Sequence, residues 1–375
     1  NFSTIKVGGG LQVAITFLEY ILRNKTKYSN IEFIFIITKT IKGLIGNLEL
    51  FNYYMVDESP ANPFKGFFIR QYIKKIEYKV NPNIIYSVGF PSYVNFNKPE
   101  IGRYTNPHAI CNSEIAFKQL NIIEKIKRKF LTSYRNFYAS KANFFETQTE
   151  VAKSGIIRRF KINEKNVLVS PNTLNQRFKF KEDFSRKKNN ELKRIFCLSA
   201  AHKHKNLEII PLVAKELKSK KFFNFKFLIT LPEKSLLLRK ILSKAKRFGV
   251  LGEIENLGPL NLDQVFNEYK KADCLFLPTL LEVFSASYLE AMAMGVPIVT
   301  TRMDFSKEIC GKAAMYYEPI SYKDAAFKLE KLFSNEATKK KLINLGFQQL
   351  KKFPTQNKKF ENLIDYIIKC AYNYR

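Results

Sequence analysis

Apolar residues recur at Leu11, Ile15, Leu18 and Leu22, the spacing of one helix face, which predicts a helix over 11–23. The β-branched and aromatic run over 31–38 predicts a buried parallel strand. Residues 1–4 read as the tail of a strand before it. Further along, 67–79 reads as a helix stopped by Asn81-Pro82, and 84–88 as a short strand turned by Gly89-Phe90-Pro91. A long basic helix follows over 119–137, then strands over 143–147 and 166–170.

The second half alternates more regularly. Strands are expected over 194–198, 225–230, 274–277, 298–300 and 315–317, and helices over 206–218, 235–248, 262–270, 286–293 and 322–333. Such alternation implies a parallel sheet covered on both faces, with ligands at the carboxyl ends of its strands. Two last helices are expected over 336–352 and 355–372, separated by Pro354. The second carries Phe360, Leu363, Ile364, Ile367 and Ile368 on one stripe and reads as a packing helix. The charged stretch 178–190, FKFKEDFSRKKNN, reads as a linker. The expected organisation is a first α/β domain over 1–177, a second over 191–350, and a helix over 351–375 crossing back to the first.

A length of 375 residues fits two such domains. Lys and Arg number 63 against 33 Asp and Glu, a net charge of +30. That balance favours anionic partners: nucleic acid, phosphorylated substrates or an acidic membrane surface. The abundance of Lys, Asn, Ile, Phe and Tyr, with no Trp, also fits an AT-rich genome, so part of the charge reads as compositional drift. The five cysteines are widely spaced, which reads as reduced thiols of a cytoplasmic protein. His202 and His204 are two apart without a nearby Cys or acidic ligand, so no metal site is expected. No apolar run reaches the length of a membrane span.

The chemistry concentrates in 275–301, LFLPTLLEVFSASYLEAMAMGVPIVTT. A strand ends near Pro278, a loop carries Glu282, and a helix starts near Ser285 with Glu290 inside it. The N–H groups at Phe284, Ser285 and Ala286 open that helix and would suit a diphosphate. Glu282 and Glu290 then lie on either side of it, at hydroxyl-bearing groups. On spacing alone this is also an ordinary βαβ unit with two glutamates.

The segment resembles the glutamate–seven–glutamate motif of retaining GT-B glycosyltransferases, family 4, with Glu282 and Glu290 at its two acidic positions and AMAMGVPIV after them. The resemblance implies two Rossmann-like α/β domains whose parallel sheets face a central cleft. It implies that Glu282 contacts the donor sugar and Glu290 the nucleotide ribose. Gly8-Gly9-Gly10-Leu11-Gln12 resembles the family's N-terminal glycine loop, placing Gly9 and Gly10 by the donor phosphates and the acceptor. His204-Lys205-Asn206 resembles the segment whose lysine binds the diphosphate, and Gly258-Pro259-Leu260 the turn that receives the base. Two positions depart from the pattern: Ala200 stands where the family usually has arginine, and Ser285 where it usually has glycine.

His108, after Tyr104-Thr105-Asn106-Pro107, is expected on a cleft-facing loop, as an orienting residue for sugar or acceptor or as an ordinary loop histidine. Asp57, Glu58 and Asp304 are weaker acidic candidates on loops. In the helix over 119–137, Lys125, Lys127, Arg128, Lys129 and Arg135 accompany apolar Ile122, Ile123, Ile126, Phe130 and Tyr134. This is either a solvated basic face over a core-facing stripe or a surface for anionic lipid headgroups.

The reading is a retaining transferase that moves a sugar from a nucleoside diphosphate to a glycan or lipid-linked acceptor. It needs no obligatory metal and no cofactor besides the nucleotide-sugar substrate. It is expected in the cytoplasm, peripherally at the inner face of the plasma membrane, in polysaccharide or lipopolysaccharide assembly. A sugar-nucleotide epimerase of the same fold is the alternative. A nucleic-acid-binding protein is motivated by charge alone, without a recognition motif, and no nucleic-acid partner is expected.

Overall fold

The computed structural model describes all residues except 7, 47, 63, 112, 179–191, 221–222 and 375. The expected linker over 178–190 therefore lies outside the described residues apart from Phe178. The chain forms two compact units. One comprises Asn1–Ile110, Ile123–Pro171 and Gln356–Arg375; the other comprises Cys111–Ile122 and Asn172–Thr355.

In the first unit, β1 (Ile34–Thr38) pairs in parallel with β2 (Asn52–Val56). A second parallel sheet joins β3 (Ile85–Ser87), β4 (Glu100–Arg103), β5 (Phe144–Thr147) and β6 (Val167–Val169) in that order. The strand expected over 1–4 does not form. That stretch still runs between β1 and β3, with the Phe2 N–H donating to the Ile36 carbonyl (2.8 Å) and the Val88 N–H to the Asn1 carbonyl (3.1 Å). The glycines expected as a loop instead form the first turn of the helix Gly8–Arg23. The tail helix Gln356–Asn373 packs here, with Phe360 against the rings of Phe17 and Tyr20 (both 5.3 Å).

The basic helix spans Ile122–Ala139. Its stripe is not core-facing: Ile122, Ile123, Ile126 and Phe130 are 75, 77, 65 and 76% exposed. Tyr134 and Tyr138 turn inward instead and pack on Tyr93 (5.7 and 5.3 Å).

The second unit holds β7 (Leu192–Cys197), β8 (Asn224–Ile229), β9 (Ile254–Asn256), β10 (Cys274–Leu277), β11 (Ile298–Thr301) and β12 (Ala314–Tyr317). They form one parallel sheet in the order β12-β11-β10-β7-β8-β9. Strand alternation sends Ile195 and Cys197 to one apolar layer and Phe196 to the other. Helices Ile210–Lys220 and Tyr322–Ser334 cover the first face through Val213, Leu217 and Leu329. Helices Leu262–Lys271 and Ala286–Ala293 cover the second through Val265, Tyr269 and Leu289. Both faces are covered by apolar layers, and β10 at the sheet's centre reads as a continuous hydrophobic run, CLFL.

Candidate functional site

Counted from β7, the second sheet has the order 3-2-1-4-5-6 across β9-β8-β7-β10-β11-β12. The winding reverses between β7 and β10, and at such a switch point the two strands' following loops diverge and leave a crevice. The segments that enter it are 198–206, after β7, and 278–285, after β10. These hold Lys205 and Glu282.

The loop after β7 closes on a short turn, Lys203–Lys205. Asn206 ends it in the left-handed conformation (φ 54°), which short amide side chains tolerate. That is why the helix expected from 206 begins only at Ile210. The Leu280 N–H donates to the His204 carbonyl (2.8 Å), tying this loop to the one after β10. The result is an ion pair between Lys205 Nζ and Glu282 Oε1, with side chains only 19 and 12% exposed. Thr279 Oγ1 lies 3.5 Å from the same carboxylate oxygen.

Ser285 then begins the helix Ala286–Ala293 with extended backbone, and its hydroxyl makes no cap bond. The positive end of the helix thus faces the loop of Glu282. Phe284 is buried, its ring edge-on to Phe353 at 5.8 Å. Glu290 lies one turn before the helix end, where Met294 and the left-handed Gly295 (φ +59°) stop it. Tyr269 of the Leu262–Lys271 helix shares its hydroxyl between Glu290 Oε2 (3.2 Å) and the Ser287 carbonyl (3.1 Å). Burial pushes the Glu290 carboxyl up to about 7, and the Tyr269 hydrogen bond opposes this.

Gly258 (φ +70°), Pro259 and Leu260 follow β9 on the same carboxyl edge, Leu260 packing on the core and Pro259 exposed. The rings of His202 and His204 stack 5.4 Å apart, 11° from parallel. Asp304 starts the helix Asp304–Cys310 and pairs with Lys307 (3.3 Å).

The structure therefore brings Lys205, Glu282, Phe284, Ser285, Ala286 and Glu290 together on adjoining loops and one helix of the second unit. Gly9, Gly10 and His108 belong to the first. A Cβ placed on Gly9 or Gly10 would meet nothing within 4 Å. Gly10 lines an open hollow of about 490 Å³ with Thr4, Lys6, Glu58 and Asn62. Glu58 pairs with Lys6 (3.8 Å) and Lys65 (3.9 Å), and Asp57 with Lys39 (3.0 Å). His108 sits in the turn Pro107–Ile110 after β4 and its N–H donates to Asn106 Oδ1 (3.2 Å). A second hollow, about 430 Å³, lies at the amino-terminal ends of β1 and β3, away from the carboxyl edge.

Sequence reasoning missed Tyr269 and Thr279, and gave Asn206 no role beyond its place beside Lys205. Thr279 was within reach of the rule that residues just after a strand face the crevice. Tyr269 offered no signal, because its ring reads as an ordinary core position of an amphipathic helix.

Solved structures share this architecture. The chain superposes on a glycosyltransferase from Rickettsia africae with a TM-score of 0.65 at 16% identity, covering 89% of this chain and 98% of that one. It superposes on WaaG, a glycosyltransferase involved in lipopolysaccharide biosynthesis, with a TM-score of 0.68 at 15% identity over 98% of both. Anabaena HepE, solved with UDP and glucose, gives 0.68 at 12% identity over 97% of both. No curated protein matches the sequence. The fold is that of GT-B proteins. Residues 178–349 match the family model described as "Glycosyl transferases group 1". The second unit thus carries a glycosyl transferases group 1 domain.

Proposed function

We propose that the chain transfers a sugar, with retention of configuration, from a nucleoside diphosphate to a hydroxyl of a glycan or lipid-linked acceptor in cell-envelope polysaccharide assembly. The observation that carries this reading is the meeting of Lys205 and Glu282 at the switch point, beside the start of the Ala286–Ala293 helix. A cation and a helix N-terminus at one place suit a departing diphosphate, whose negative charge grows in the transition state. Glu282 would orient the sugar and stabilise its developing positive charge. Glu290 would take ribose hydroxyls, and the Gly258 turn the base. That charge stabilisation leaves no step that requires a metal. His108 is assigned to the sugar or acceptor. The UDP and glucose bound by HepE support a nucleotide-sugar donor.

The acceptor side is assigned to an anionic membrane surface. Four exposed apolar side chains of the Ile122–Ala139 helix, interleaved with Lys125, Lys127, Arg128 and Lys129, have the composition of an interfacial helix. Among the described residues no helix is long and apolar enough to cross a membrane. Phosphatidylglycerol vesicles should retain the protein and phosphatidylcholine vesicles should not, with retention lost on Ile126→Ser/Phe130→Ser.

The decisive experiment follows nucleotide release from UDP-, GDP- and ADP-sugars in EDTA, with lipid or glycan extracts added or withheld. Acceptor-stimulated release from one donor, lost in Glu282→Ala and Glu290→Ala, supports the transferase. Conversion of the sugar without release points to an epimerase and sinks it.

A further inference from the structure

The segment Cys111–Ile122 ends 56 residues before the matched domain begins at residue 178 (178 − 122), yet it belongs to the second unit. Its short helix, Glu114–Lys118, is capped by Ser113, whose Oγ accepts from the Ala116 N–H (3.2 Å). The same hydroxyl donates to the Leu280 carbonyl (3.0 Å), in the loop that carries Glu282. One hydroxyl thus serves both bonds, using its lone pair and its proton. Beside it, Cys111 Sγ donates to the Glu282 carbonyl (3.5 Å).

Gln119 reaches the other loop. Its Nε2 donates to Asn206 Oδ1 (3.3 Å), and Asn206 is the buried, left-handed residue that closes the Lys205 turn. Between these contacts, Ala116, Leu280 and Leu281 form a separate buried cluster, with Ile115 packed against it. Both loops of the crevice are therefore held from behind by one short stretch. A loop with no such backing would sample many positions, and ordering it on ligand binding would cost affinity. A wall built of apolar packing alone would need no polar bond to each loop, and here the loop after β10 receives two and the loop after β7 one.

We infer that Cys111–Ile122 is a working part of the donor site, with Ser113 and Gln119 as positioning residues that set Glu282 and Lys205 for a nucleoside diphosphate. This rests on the donor-site reading above. Neither residue touches the donor; each acts through the backbone or amide of the loop it holds. Losing both bonds leaves the apolar cluster and the fold in place but loosens the two loops relative to each other.

The test uses the full chain and titrates UDP, GDP and ADP calorimetrically into wild type, Ser113→Ala, Gln119→Ala, the double variant and Ser113→Thr. Melting temperature and steady-state kinetics with the matching nucleotide sugar are measured alongside. At one neutral-to-neutral bond per loop, the double variant should bind the preferred nucleotide about tenfold more weakly. KM for the nucleotide sugar should rise with it, at a melting temperature within a few degrees of wild type. Ser113→Thr, which keeps the hydroxyl, should restore most of the Ser113→Ala loss. Unchanged affinity and KM in the double variant overturn the inference, as does a loss that merely follows a fall in melting temperature. Absence of nucleotide binding by the wild type overturns the donor-site reading itself, and the inference with it.

Discussion

Lys205 and Glu282 neutralise one another across the crevice: the ammonium of the loop after β7 rests on the carboxylate of the loop after β10, both largely withdrawn from water. A diphosphate arriving there must compete with Glu282 for the lysine. Removing the carboxylate charge should therefore help the diphosphate while harming transfer. Glu282→Gln is expected to bind the free nucleoside diphosphate about three- to tenfold more tightly, since charge-assisted hydrogen bonds are the stronger ones, and to transfer sugar at least about a hundredfold more slowly. Lys205→Ala should lose about tenfold to a hundredfold in nucleotide affinity. Calorimetry with single-turnover transfer separates the effects. Weaker binding in Glu282→Gln would show that the glutamate holds the nucleotide rather than competing for its lysine.

Glu290 sets a pH dependence. Its carboxyl is raised to about 7 from an ordinary 4.5, chiefly by burial. The folded state therefore holds a proton that the unfolded chain has already lost between about pH 4.5 and 7. Stability associated with Glu290 is fully present below pH 4.5 and is lost as pH rises through 7. Glu290→Gln keeps an acceptor for Tyr269 and removes the charge. It should be stabilising by on the order of 2–3 kcal/mol at pH 8 and close to neutral at pH 4.5. Urea unfolding at the two pH values measures the difference; an equal effect at both would contradict it.

Most of the second sheet was legible because its central strands are largely apolar and its helices follow at regular intervals. What escaped was short and charged. β4 reads EIGR, and its Glu100 and Arg103 are nonetheless 3 and 4% exposed. β2 (NYYMV) and β9 (IEN) carry too few aliphatic side chains to stand out. The helix Glu150–Phe160 hid behind Gly155 and three basic residues, and Asp304–Cys310 is only two turns long. In the candidate site, Glu282, Glu290 and Lys205 were singled out through a motif. The hydrogen bonds that seat them were not, because Tyr269, Ser113 and Gln119 come from distant stretches that only the fold unites. The apolar stripe at Ile122–Phe130 has the periodicity of a buried face, and periodicity does not say what covers it.

Gly155 is predicted to be indispensable for the setting of His108. A Cβ there would collide with the Ile110 carbonyl, at the end of the turn Pro107–Ile110. Backbone cannot swing aside as a side chain can, so Gly155→Ala must push the helix Glu150–Phe160 away from the turn. The expected loss is about 3 kcal/mol or more, in the range of overpacked core sites. Gly9→Ala, where a Cβ meets open space, should melt within a degree or two of wild type. Comparable melting of the two variants would refute the close approach.

The tail helix carries a buried charge into the first unit. Lys359 is 5% exposed, and Arg103 and Glu146 are 4 and 0% exposed. Arg103 Nε lies 3.5 Å from Glu146 Oε1, and the Tyr86 hydroxyl donates to the other carboxylate oxygen. One carboxylate thus serves two cations. Burial, followed by the Arg103 charge, lowers Lys359 to about 8, and Glu146 opposes them. Glu146→Gln removes the carboxylate charge that faces both cations and should cost about 3–5 kcal/mol, the range for breaking one side of a buried pair. Lys359→Met keeps the packing and removes one cation, so it should be near neutral alone. In the double variant only Arg103 remains uncompensated, and the cost of Glu146→Gln should fall by at least about 1 kcal/mol. Urea unfolding of the four proteins completes the cycle. Strict additivity would mean that Lys359 and Glu146 do not share the charge balance, and that the tail helix is held by Phe360 and its apolar neighbours alone.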